Sequence, residues 1–174
     1  MKVRKLIAIA LVAVLPFLFG FGTSCQGKST VELSLEREKT CSNLATQLLN
    51  STAGVVCIGS DERPPADIWK STGPYKAGCQ VEMASGIVAC DPLWLSGSDA
   101  LKNRTPINRI EMRVKASFYL CPHPDTGRLV QKVTVIGVVS GAVENNKVTY
   151  KGGDPVDGKV EDVPAGTTTP CDTN

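Results

Sequence analysis

Arg109 to Cys121 reads RIEMRVKASFYLC, with Ile110, Met112, Val114, Ala116, Phe118 and Leu120 alternating with Glu111, Arg113, Lys115, Ser117 and Tyr119. Alternation of this length puts the apolar side chains on one face of a pleat, and such a strand needs a sheet around it to bury that face. Leu129 to Val139 is rich in β-branched residues and supplies a partner. The link between them, Pro122 to Gly127 (PHPDTG), is built of residues suited to a chain reversal. This pattern predicts a hairpin continuing into a meander. A further turn is expected at Asn145-Asn146, because asparagine tolerates the positive φ that a tight turn demands. A last strand would then run from Lys147 to Lys151.

On the N-terminal side, Ser29 and Glu32 have the spacing of a capping box. Cys41, Leu44, Ala45, Leu48 and Leu49 recur at helical spacing, with Gly54 placed to end the helix. Val55 to Ile58 then reads as a short buried strand, and Gly78 to Cys90 as a second hairpin turning at Ser85-Gly86. In that register Cys79 and Cys90 would be diagonal neighbours, too far apart to bond, so partners such as Cys57 or Cys41 are expected instead. Asp61 to Tyr75 reads as an irregular connection with Trp69 packed beneath it. Asp91 to Pro106 is a second one, in which Leu93, Trp94 and Leu95 would cap the sheet. The expected fold is α+β: one N-terminal amphipathic helix packed on an antiparallel β-meander of about five or six strands, stapled by disulfides. Its core would draw on Leu44, Leu48, Val56, Ile110, Met112, Val114, Phe118, Val133 and Val135.

Lys2, Arg4 and Lys5 precede an apolar run from Leu6 to Phe21, followed by the small residues Gly22, Thr23 and Ser24. This is the three-part pattern of a secretory signal, and the run is too short and too broken by Pro16 and Gly20 for a membrane span. The expected organisation is a signal over residues 1–24, one disulfide-stabilised domain over 25–151, and a Gly/Pro/Thr-rich tail over 152–174 tethered by Cys171. Without the three basic residues of the signal, the 19 Lys and Arg become 16, against 17 Asp and Glu. A near-neutral chain does not suggest a nucleic-acid binder. Cys25 follows the small-residue triplet, where bacterial lipoproteins carry their acylated cysteine, although Gly22 stands where such sites usually have Leu. Lipidation of Cys25 would attach the protein to the extracytoplasmic face of a membrane without a spanning helix; otherwise it would be secreted. Setting Cys25 aside leaves Cys41, Cys57, Cys79, Cys90, Cys121 and Cys171, an even set for disulfides, which sequence alone can pair in 15 ways.

Motifs for chemistry are sparse. GTSCQGKS, from Gly22 to Ser29, matches a phosphate-loop pattern, but cleavage would cut it and no parallel sheet follows. His123 is the only histidine, and no cysteines are spaced as paired thiolate ligands, so neither a metal nor a cofactor is expected. No catalytic residue can be assigned. Asn50 and Asn103 are formal glycosylation sequons. The segment from Ala100 to Lys132 is the most basic, with Lys102, Arg104, Arg109, Arg113, Lys115, Arg128 and Lys132. The functional expectation is therefore an exported, lipid-anchored binding or structural domain. Its basic sheet face, Arg109, Arg113 and Lys115, would dock an anionic surface, polymer or acidic protein. The alternative is a small secreted hydrolase using His123 and Asp125.

Overall fold

The computed structural model describes residues 30–92 and 106–172. In chain order these form α1 (Thr30–Val56), α2 (Ala66–Thr72), β1 (Tyr75–Asp91), β2 (Arg109–Cys121), β3 (Gln131–Glu144) and β4 (Lys147–Asp162). The sheet is antiparallel with order β1-β2-β3-β4, so each strand lies beside its neighbour in sequence. The α+β class holds, with four strands in place of the five or six expected.

The difference has two sources. Val55–Ile58 is not a strand: α1 continues past Gly54 to Val56, and Val55 and Ile58 are 51% and 74% exposed. The apolar run would suit a buried strand, but the Cys57–Cys79 disulfide holds this segment at the helix end, where Lys76 Nζ donates to the Val56 carbonyl at 3.0 Å. A basic side chain on a terminal carbonyl closes a helix much as a glycine would. Residues 78–90 are likewise not a hairpin but the bulk of one 17-residue strand. Gly86 has φ of +94°, which in a turn would reverse the chain; here it sits at a register shift between the Met83–Val114 and Gly86–Arg113 pairs. A bulge and a tight turn ask for the same residue. Cys79 and Cys90 do bond elsewhere, but because they lie far apart along one strand.

α1 crosses the sheet with Leu44, Ala45 and Leu48 packed on Ile110, Met112, Val114, Val139 and Val143. Thr52 is fully buried on the same side, its hydroxyl donating to the Leu48 carbonyl at 2.7 Å, so the buried polar group is satisfied. Cys41–Cys90 pins the helix to β1. Gln47 clamps the β3–β4 turn, its amide donating to the Asn146 carbonyl and its oxygen accepting from the Val148 N–H. Asn145 and Asn146 have the positive φ values of 51° and 59° that this turn requires.

A second cluster of Trp69, Tyr75, Ala77 and Cys121 lies at the other end of β2. Strand alternation places Cys121 and Tyr119 on the face opposite Ile110 and Met112. Trp69 packs as expected, though on α2 and not in a structureless loop; its indole N–H donates to the Cys121 carbonyl at 3.1 Å and its ring meets Tyr75 edge-on. Cys121–Cys171 ties the C-terminal segment here. The tail begins later than expected, because β4 carries residues 152–162 into the sheet. Of the expected core, Leu44, Leu48, Ile110, Met112, Val114 and Val133 are buried. Val56, Phe118 and Val135 are half-buried and line a groove of about 210 Å3 between the C-terminal end of α1 and the sheet.

Candidate functional site

Among the described residues each face of the sheet is covered over part of its length, and the expected docking residues lie on a part covered by neither α1 nor α2. Arg109, Glu111, Arg113 and Lys115 point away from α1, alternating with the buried Ile110, Met112 and Val114. The β1–β2 register decides what each basic residue meets. Arg109 pairs across the ladder with Asp91 and its guanidinium lies 3.3 Å from that carboxylate; it also binds Glu111. Lys115 is opposite Glu82, with Nζ 2.7 Å from Oε1. The lysine's hydrogen bond and charge hold the Glu82 carboxyl below its ordinary range.

Arg113 differs. Its ladder neighbours are Gly86 on β1 and Val138 on β3, and neither offers a carboxylate. The side chain is exposed and, among the described residues, has no ion pair. Beside it on the same face lie Ile136 and Val138, both half-buried. The expected uniform basic face is thus a mixed surface: Arg109 between two carboxylates, Lys115 paired with one, one unpaired guanidinium, and apolar β3 side chains.

His123 is not the exposed turn imidazole that its flanking prolines suggest; its side chain is 13% exposed and packs edge-on against Trp69 at 4.9 Å between centroids. Nδ1 accepts from the Asp125 backbone N–H at 3.2 Å. Asp125 in turn pairs with Lys70 at 3.1 Å, and its carboxyl is held below the ordinary range first by that lysine and then by His123. A base–orienter pair would have the carboxylate accept a proton from Nδ1–H; here Nδ1 is itself an acceptor. The nearby hydroxyls are committed to carbonyls, Ser71 to Ile68 and Thr126 to His123. Neither hydroxyl donates to the imidazole, and the Asp125 carboxylate lies 3.7 Å from Nδ1.

Six cysteines form three disulfides, Cys41–Cys90, Cys57–Cys79 and Cys121–Cys171. Cys25, Ser29, the Gly22–Ser29 motif, Leu93 to Leu95, Lys102, Asn103 and Arg104 lie outside the described residues; Asn50 is exposed on α1. Among the described residues there is no cluster of His, Cys, Asp and Glu that could hold a metal ion, and no helix long and apolar enough to cross a membrane. Comparison of the chain with family models, curated proteins and solved structures finds no match.

Proposed function

We propose that the protein is an exported, lipid-anchored binding domain that docks an anionic polymer of the cell surface on the sheet face away from α1. The observation that carries this is Arg113: a guanidinium between Gly86 and Val138, without a partner among the described residues, on a stretch of sheet face that neither α1 nor α2 covers. An unpaired arginine keeps its donors for an external acceptor and, being planar, can bind an oxyanion with two parallel bonds. Ile136 and Val138 beside it add apolar contact for the polymer backbone. Arg109 and Lys115 frame the site while their carboxylate partners limit its net charge, which makes binding selective for position over charge density.

Three disulfides fit assembly in an oxidising compartment. Acylation of Cys25, shortly before the first turn of α1, is the anchor in this reading. Cys25→Ser would then move the protein from the membrane fraction to the medium.

The docking reading is tested by retention on an immobilised polyanion. Arg113→Glu leaves stability within about 0.5 kcal/mol, since the position is exposed, and lowers the salt concentration needed for elution. Lys151→Glu, an equal charge change on the edge strand, elutes as wild type. Equal losses in both variants would reduce the effect to net charge and remove the site.

A further inference from the structure

Trp69, His123 and Arg128 line a cleft of about 350 Å3 on which Lys70 also opens. It differs from the sheet face in being concave and rich in donors, and no carboxylate lines it. An imidazole that accepts at Nδ1 carries its proton on Nε2 when neutral. The Asp125 N–H bond therefore makes His123 Nε2 a donor, and it meets no acceptor among the described residues. The Arg128 side chain is exposed and also has no ion pair among them. Lys70 is neutralised by Asp125, which stands outside the lining. The fixed charge left to the cleft is that of one guanidinium.

A second hollow, of about 380 Å3, shares Pro74, Pro122 and Arg128 with the first and adds Leu120 and Leu129. Asp162, also in its lining, accepts from Gln131. The pair of hollows thus has a donor end at His123 and an apolar end where Asp162 repels anions, with the Arg128 guanidinium between. Volumes in this range suit small ligands.

We infer that this double cleft binds a small organic carboxylate with an apolar body. The carboxylate lies against Arg128 and the His123 Nε2–H, and the body runs along Pro74 and Pro122 toward Leu120 and Leu129. In the first hollow one guanidinium matches the single charge of a carboxylate, and with the Asp162 carboxylate in the second a phosphate dianion would leave a negative charge unmet. The apolar walls add affinity only for a ligand with something to bury.

Benzoate titrated into Trp94→Phe protein, read by Trp69 fluorescence, tests this with acetate and inorganic phosphate as companion probes. Benzoate should saturate, acetate should bind at least about tenfold more weakly, and Arg128→Ala should weaken benzoate about tenfold, the loss of a charge-assisted pair. Arg128→Lys retains part of the affinity, and Lys151→Glu changes nothing. Titration without saturation, wild-type binding by a folded Arg128→Ala protein, or tighter binding of phosphate than of benzoate would overturn the inference.

Discussion

Gly86 decides more than a bulge. Because it lacks a side chain and stands opposite Arg113, the guanidinium has no cross-strand partner, whereas Lys115 and Arg109 meet Glu82 and Asp91. Gly141 has the opposite role, making room for packing. A Cβ there would lie 2.5 Å from Val148 Cγ1 and 3.1 Å from Leu48 Cδ1. Gly141→Ala should cost about 1–3 kcal/mol, as overpacking of a filled core does, measured by chemical denaturation; an unchanged midpoint would show that α1 sits farther from β3. Asp125 supplies a check on the His123 turn. Its carboxyl titrates below the ordinary range because Lys70 donates to it and His123 adds to the effect, so its contribution to stability is present above that range and fades as pH falls through its lowered pKa. Lys70→Ala should return the Asp125 titration, followed by carboxyl carbon NMR, toward the usual carboxylate value. These exposed groups contribute little to overall stability.

At the scale of elements, what could be read in advance depended on how many structures share one residue pattern. Arg109–Cys121 has a period that only a half-buried strand satisfies, and Asn145-Asn146 has a φ requirement that few turns share; both appear where expected. Ser85-Gly86 suits a turn and a bulge alike, and Val55–Ile58 suits a strand and a helix end alike, so pattern alone could not choose. The contacts that chose are distant in sequence: Lys76 on the Val56 carbonyl, and Cys79 on Cys57. The same ambiguity hid the Asp91 and Glu82 partners of Arg109 and Lys115, since these follow from β1 being continuous. Removing the pin is a direct test. Cys57→Ser with Cys79→Ser opens a loop of sequence separation 22 and should lower stability by about 3 kcal/mol, while circular dichroism loses signal from the last turn of α1 and not from its middle. A loss of the entire helix would contradict the packing of Leu44 and Leu48 as its main support.

Across the whole molecule, one sheet carries two clusters on opposite faces and at opposite ends, α1 over Ile110–Val114 and the Trp69 group over Cys121. Among the described residues, neither cluster extends over the whole of its face. This explains why Phe118 and Val135, with the apolar character of core residues, are only half-buried, and why Trp69 and Cys121 are buried although no periodicity marks them. The candidate site was legible in part: alternation placed Arg113 and Lys115 on the solvent side, but no pattern in the chain separated the paired cation from the unpaired one. The central claim is that the uncovered face around Arg113 is where the partner docks. Titration of the 15N-labelled protein with a heparin-derived oligosaccharide, followed by amide chemical shifts, tests it most directly. Shifts concentrated at Glu111, Arg113, Lys115, Ile136 and Val138, abolished by Arg113→Glu, are the predicted result; shifts concentrated on α1 or at the His123 cleft, with this face silent, would contradict it.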